Sequence, residues 1–538
     1  MKAVLGTGAL ALLLLGFCSV GLSQQIRQEP RLDGELRLLN HLGPGFFSPV
    51  SEPTPAVPVG RIATEWETAR AVAVNVSIRE TLEVEEILQL YLDLATAVTP
   101  YVPLLVGYDP VEEGSLGRFR ERLRERLGED LGPGGLLFMP TYTRSSWIRD
   151  YAPIFAYTDD GYLVSIDPVS RLLEPEMEAF ANLPSSLERR ERTRPFGRFQ
   201  NFRNSSRKDD LAPVHIARFL RQTLEMECEL SKPALHLQGG DFLTDGLGNI
   251  FISEDTFLRN GGQRLRMLSV FEKYFRAKSL HVLEAPPGAA AKHLDMTMKF
   301  TSSDTILISE PPVATKDATP YLEYIARTCA HNFNTNIQYL RSRFPEKRVI
   351  LVPSPPLLAV SDEVFSQWLT VRIVESVCER LGIDFESYLK DARTGLKDAE
   401  NQRRIDAHIR ALVGPDVETE SHEGRTLLAK AVLGESVEQL RSDYVPSSIG
   451  YRSYTNSLLI KNRNGAEAVI LPRYKPKSHE PVELFVQLEQ SVEAAYREAL
   501  PNAKLHWVDC DFMAQRSGAI HCLTLSIPAG PEDVRHDD

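Results

Sequence analysis

Cysteine is scarce in this chain. There are six in 538 residues and no Cys-x-x-Cys pair, which excludes a disulfide-stapled scaffold and argues against a structural zinc site. Positive charge is not in excess either. Lys and Arg number 61 against 73 Asp and Glu, a net charge of −12, so the basic footprint that phosphate backbones require is missing and no nucleic-acid partner is expected. No glycine-rich loop followed by Lys-Ser or Lys-Thr is present to cradle a phosphate. Beyond the N-terminal segment no stretch approaches 18 consecutive apolar residues, so no membrane span is expected in the mature chain. With 43% hydrophobic and 25% charged residues, the composition is that of a globular protein, not a disordered or coiled-coil one. At about 150 residues per domain, the length corresponds to roughly three or four domain equivalents.

What is present begins with a targeting device. Residues 1–23 carry one positive charge at Lys2 and an apolar stretch from Ala3 to about Phe17. Gly21 and Ser23 stand at a plausible cleavage point before Gln24. This is the layout of a secretory signal peptide, and it predicts an exported protein, periplasmic or secreted. Bulky Phe17 before Cys18 argues against a lipid anchor there. Export leaves Cys228, Cys329, Cys378, Cys510 and Cys522, an odd number, so at least one thiol has no partner within the chain.

Residues 24–61, rich in Pro and Gly, read as an extended arm. Strand-like runs follow at Ala71–Ile78, Val102–Tyr108, Gly161–Ile166, Asn249–Glu254, Ser279–Ala285, Thr305–Glu310, Arg348–Ser354, Ser457–Asn462, Ala466–Pro472 and Ile520–Pro528. Helical spacing separates several of them, at Glu80–Val98, Gly117–Leu127, Leu211–Glu225, Lys316–Tyr339 and Leu484–Glu498. Strand pairs alternating with single helices predict an α/β architecture of similar small units. Two stretches, about 172–208 and 358–449, break that rhythm and read as insertions in a catalytic region spanning 62–528. Residues 529–538 form a tail.

Four segments put reactive or carboxylate side chains among Gly, Pro and strand ends: Ser145–Pro153, Leu235–Glu254, Lys292–Phe300 and Ser517–Pro528. Asp150 beside Arg149 reads equally as a local ion pair. His293 and Asp295, two apart, would share one face of a strand. The Gly239-Gly240-Asp241 turn fails as a calcium loop, since Leu243 and Ile252 would fall at liganding positions. Cys522 reads either as inert packing or as a nucleophile. On a strand its neighbour His521 would face away from it, leaving His293 as the better general base.

Together and in this order, these segments resemble the bacterial-type, or Porphyromonas-type, peptidylarginine deiminase and agmatine deiminase family of guanidine-modifying enzymes. The matching pieces are Trp147-x-x-Asp150, Gly239-Gly240-Asp241 with Asp245-Gly246, His293-x-Asp295, the segments Tyr451–Ile460 and Leu471–Tyr474, and Gly518-x-Ile520-His521-Cys522-x-Thr524. The resemblance implies a five-bladed pseudo-symmetric α/β propeller of ββαβ repeats, here with helical insertions. It also implies roles. Asp150 and Asp295 would grip the guanidinium, His293 would be the general acid/base, Cys522 the nucleophile, and Asn456 a residue ordering the site. Trp147, Gly240 and Asp241 would line the substrate site. Arg203 and Arg207 would read a substrate carboxylate. Gln238 stands where an acidic residue often precedes the Gly pair. No cofactor or metal is expected, calcium included.

The implied reaction is hydrolysis of an arginine guanidinium to citrulline and ammonia through a covalent thiouronium on cysteine. The export signal favours an arginine-containing peptide or protein as substrate and partner. Agmatine deimination to N-carbamoylputrescine, or a non-catalytic binding propeller, remain the alternatives. A cysteine peptidase or an amidinotransferase is a further competitor.

Overall fold

The computed structural model describes residues 57–530 apart from several stretches, the longest being 129–134, 171–208, 389–398, 415–421 and 441–449. The expected signal segment, most of the arm, the insertion at 172–208 with Arg203 and Arg207, and nearly all of the tail lie outside the described residues.

The strands fall into five sheets, and the same unit recurs in each. An antiparallel pair is followed by a helix and a third strand lying parallel to the second. Ile154–Tyr157 and Leu163–Ile166 pair antiparallel, helix Ala212–Thr223 crosses over, and Cys228–Ser231 returns parallel. The sequence Leu243–Thr244, Asn249–Ser253, helices Glu254–Arg259 and Arg264–Phe275, then Ser279–Leu283 repeats the order. So do Met298–Phe300, Thr305–Ser309, helix Pro320–Arg343 and Arg348–Val352. Leu458–Lys461, Glu467–Arg473, helix Val482–Ala499 and Lys504–Asp509 repeat it again. The fifth unit joins segments far apart in the sequence. C-terminal Thr524–Pro528 pairs antiparallel with Ala69–Val76, followed by helix Glu85–Val98, Leu104–Tyr108 and Leu136–Pro140. The order has a simple cause: a short turn suffices for antiparallel neighbours, whereas a parallel return needs a crossover of helix length.

The α/β class expected from the sequence is therefore present, in five separate mixed sheets, none of them closed among the described residues. Ala71, Val72, Ala73, Val74 and Val76 of the strand read at Ala71–Ile78 are all buried. Ala71 and Ala73 pack with Leu105, Tyr151, Phe155 and Ile216 in one core cluster. A strand buried on both faces needs no polar alternation, so periodicity alone understates its burial.

A second compact unit consists mainly of Leu358–Ser447. Its core forms where Ile373 and Val377 of helix Asp362–Leu381 meet Ile405 and Ile409 of helix Ala399–Val413. The spacing of four residues in each pair puts both side chains on one helix face.

Candidate active site

Every sequence-predicted site residue among the described ones lies in a turn or a very short helix, in the connection that leads into the first strand of a repeated unit. Asp150 precedes Ile154–Tyr157, Gly240 and Asp241 precede Leu243–Thr244, and His293 and Asp295 precede Met298–Phe300. Asn456 precedes Leu458–Lys461, and Cys522 precedes Thr524–Pro528. Repetition of one unit thus delivers five connections of the same kind.

Local sequence sets each connection. Helix Ile148–Tyr151 is one turn long; Ile148 and Tyr151 are buried in the core, which leaves Arg149 and Asp150 on the other side. Pro153 ends it by holding Ala152 extended, at ψ 160°. The expectation that His293 and Asp295 sit on a strand is corrected. His293 is the extended residue before a single helical turn, Leu294–Met296. Leu294 and Met296 anchor that turn in the core, with Asp295 between them and 1% exposed. Cys522 likewise lies in a turn, since the C-terminal strand starts at Thr524.

Gly240 and Asp241 tie these pieces together. A Cβ on Gly240 would stand 2.6 Å from His293 Nδ1 and 3.1 Å from Asp295 Oδ2, so only glycine lets the turn approach this closely. The Asp241 carboxylate, expected at the substrate, has a different use. It accepts from Ser253 N at 3.1 Å, Ser253 Oγ at 2.5 Å and Leu294 N at 3.1 Å, fastening the His293 turn to the neighbouring strand. Burial pushes its pKa up to about 6 against those hydrogen bonds. Trp147 packs across Gly518, where a Cβ would meet its ring at 2.2 Å.

Around Gly240 the polar groups converge. His293 Nδ1 faces Asp150 Oδ1 at 3.4 Å, and its Nε2 donates to Gln238 Oε1 at 2.6 Å. Burial opposes charge on His293, but Asp150, Asp295 and Asp241 outweigh it and raise its pKa. Cys522 Sγ lies 3.7 Å from Asp295 Oδ2 and 3.3 Å from Asn456 Nδ2. Asn456 Oδ1 accepts from the backbone N of His521 at 2.9 Å and of Cys522 at 3.3 Å. All five described cysteines are free thiols. Burial, then Asp295 and Asp150, raise the Cys522 thiol well above the ordinary value, so without substrate it holds its proton. Cys228, Cys329, Cys378 and Cys510 are also raised by burial. His293 and Cys522 share no hydrogen bond; Asp295 and Gly240 stand between them.

The sequence reading of His521 is corrected as well. Its ring turns toward the site, with Nδ1 at 2.7 Å from Asp295 Oδ2 and Nε2 at 3.2 Å from Glu65 Oε2. Lys299 Nζ meets the same Glu65 oxygen at 2.5 Å, and Arg149 Nη2 approaches its other oxygen at 3.5 Å. Arg149 is therefore not a local partner of Asp150. Glu65 and Lys299 were missed from the sequence. The available signal was a lysine in an otherwise apolar strand, Met298-Lys299-Phe300, where a buried cation needs an anion. These four residues line one side of a cavity of about 100 Å³, to which Cys522, His293 and Asp295 do not contribute. Among the described residues no three His, Cys, Asp or Glu side chains are grouped to hold a metal ion, and no helix is long and apolar enough to cross a membrane.

The family of Porphyromonas-type peptidyl-arginine deiminases matches residues 61–356, more than half of the chain. The chain belongs to that family. That family is one of guanidino-group hydrolases, the deiminases. The match includes Trp147, Asp150, Gly240, Asp241, His293 and Asp295 and stops before Asn456, His521 and Cys522. No curated protein matches the chain. Among solved structures, the provisionally assigned arginine deiminase of Porphyromonas gingivalis is 16% identical, with 87% of this chain and 98% of that one covered and a TM-score of 0.50. C. jejuni agmatine deiminase is 15% identical over 89% and 98%, at TM-score 0.49. Agmatine deiminase of Enterococcus faecalis is 15% identical over 87% and 95%, also at 0.49. Likeness at such identities concerns the fold alone.

Proposed function

We propose that this deiminase hydrolyses the guanidinium of arginine in peptides or proteins, giving citrulline and ammonia, with Cys522 as nucleophile. The observation that carries the reading is the convergence on Gly240 of two carboxylates, a histidine and, through Asp295, a thiol. A guanidinium is planar and cationic, and its resonance makes the central carbon a reluctant electrophile. Asp150 and Asp295 match it with two acceptors that hold its plane. Asp295 Oδ1 is buried with no hydrogen-bond partner, which suits it to a guanidinium N–H.

The same geometry gives the thiol its trigger. Burial, Asp295 and Asp150 keep Cys522 protonated in the empty site; the single positive charge of a bound guanidinium offsets the two carboxylates, so the thiol gives its proton to water and the thiolate forms as substrate arrives. The sulfur bonds to the guanidinium carbon, and His293, held charged by Asp150, gives its proton to the departing nitrogen as ammonia leaves. The thiouronium is then attacked by water, whose proton passes to the now neutral His293, and the carbon–sulfur bond breaks to release the ureido product and the thiol. Asn456 holds the sulfur and the turn that carries it. In this reading the five repeated sheets are the blades of a propeller around the site, within a catalytic region of 62–528. Residues 1–23 export the chain, and Arg203 and Arg207 bind the carboxylate of a peptide that ends in arginine.

Ammonia and citrulline release from a peptide ending in arginine, a peptide with interior arginine, free arginine and agmatine tests the proposal, with Cys522→Ala as control. Turnover of the first two by the native chain alone is expected. Turnover of agmatine only would replace the peptide substrate by agmatine, and no turnover of any would favour a binding role.

A further inference from the structure

We infer that His521, backed by Glu65 and Lys299, is a positioning residue that keeps Asp295 ionised and oriented for a guanidinium before any substrate is present. The inference rests on the deiminase reading of the site and extends it to residues on the far side of Asp295. Both ring nitrogens of His521 face carboxylate oxygens, at 2.7 Å and 3.2 Å. A carboxylate oxygen accepts, so the ring can donate to Asp295 through Nδ1 and to Glu65 through Nε2. Its exposure is 3%, and bulk water does not supply the compensation that Asp295 needs.

That need is real. A carboxylate with 1% exposure, placed beside a sulfur and near a second carboxylate, takes up a proton unless a cation holds it. Protonated, it presents a neutral acid to a cationic substrate and loses the charge-assisted bond. The groups facing Asp295 are His521 by hydrogen bond, His293, Arg149 and Lys299 through space, and the Cys522 thiol. His293 is already paired with Asp150, and Lys299 and Arg149 are turned to Glu65. Of the basic side chains facing it, only His521 contacts the carboxylate directly. It does so at Oδ2, leaving Oδ1 without a partner. Acidic and basic side chains alternate along the row from Asp295 through His521 and Glu65 to Lys299.

The backbone of His521 is fixed independently of its ring. Its N–H donates to Asn456 Oδ1 at 2.9 Å, and its carbonyl accepts from Arg149 Nε at 3.4 Å. A ring substitution can therefore leave the Cys522 turn in place, which separates positioning of Asp295 from placement of the nucleophile.

The experiment measures calorimetric binding of an arginine peptide and of agmatine, from pH 5 to 9, to the full chain carrying Cys522→Ala. It is repeated with His521→Asn and with Glu65→Gln added, circular dichroism reporting folding. With His521 present, binding should be nearly level down to pH 5. His521→Asn should leave binding near pH 8 to 9 little changed and move its acid limb up by about one pH unit, so that the loss grows as pH falls, toward tenfold below the limb. Glu65→Gln should move the limb in the same direction by less, and it carries the test if His521→Asn does not fold. A loss that is uniform with pH, or an unchanged profile, overturns the inference while leaving the deiminase reading intact. Absence of binding by every guanidine when His521 is present overturns the deiminase reading and the inference with it.

Discussion

Replacing Asn456 by alanine should damage stability and turnover by separable amounts. The side chain is fully buried and makes contacts in two directions. Its oxygen accepts from His521 N and Cys522 N; its Nδ2 reaches Cys522 Sγ and the Asp295 carbonyl, each at 3.3 Å. His521 N has a second acceptor, the Asn456 backbone carbonyl at 3.2 Å, so truncation fully orphans only the Cys522 N–H. One orphaned buried donor costs about 1–3 kcal/mol, and the lost Asp295 contact adds about 1 kcal/mol. A destabilisation of roughly 2–4 kcal/mol follows, measurable by urea unfolding. Loss of the hydrogen bond to sulfur removes a group that favours thiolate, and the freed turn lets the nucleophile drift; a displacement of about 1 Å is enough for a roughly hundredfold fall in kcat. Asn456→Asp separates the two effects. It keeps the acceptor for Cys522 N, and so most of the stability, but sets a third carboxylate against the sulfur. Alkylation of Cys522 by iodoacetamide, followed against pH with guanidine bound, should then need a higher pH than in the native chain. A turnover loss below threefold in Asn456→Ala, or easier alkylation in Asn456→Asp, would refute the reasoning.

Three further outcomes are expected. Asp150→Asn removes the nearest charge raising the His293 pKa. The alkaline limb of kcat/KM, set by loss of the proton that His293 donates, should move to lower pH, and the lost guanidinium contact of about 1.5–3 kcal/mol should lower kcat/KM about 10- to 100-fold; a limb unmoved in a pH–rate profile would count against His293 as the acid. Gly240→Ala forces a methyl group to within 2.6 Å of His293 Nδ1, so turnover should fall about a hundredfold with little change in thermal midpoint; equal losses of both would point to a folding defect instead. Arg452→Met breaks an ion pair with Glu480 whose side chains are 0% and 2% exposed, leaving a buried carboxylate, and should destabilise the chain by about 3–5 kcal/mol in urea unfolding. The double variant with Glu480→Leu should recover part of that loss.

The sequence by itself carried the order of the chemistry and the class of the fold. Strand pairs alternating with helices are a local pattern, written in apolar periodicity, and each run read as a strand overlaps an observed one, whereas Leu136–Pro140, Ile154–Tyr157, Cys228–Ser231, Met298–Phe300 and Lys504–Asp509 were not read as strands. Asp150, His293, Asp295 and Cys522 were ambiguous one by one and stood out only together, through the resemblance of their short motifs to one family. Tertiary structure alone decided which face each residue presents. Periodicity assumes regular backbone, and the site is built from turns, so a two-residue spacing said nothing reliable about His293 and Asp295, and the alternation rule turned His521 the wrong way. Asp241 looked like a substrate ligand until its oxygens were found on Ser253 and Leu294. Glu65 and Lys299, 234 residues apart, had no local signal joining them, because an ion pair between distant segments is specified only when five sheets bring their entry turns together.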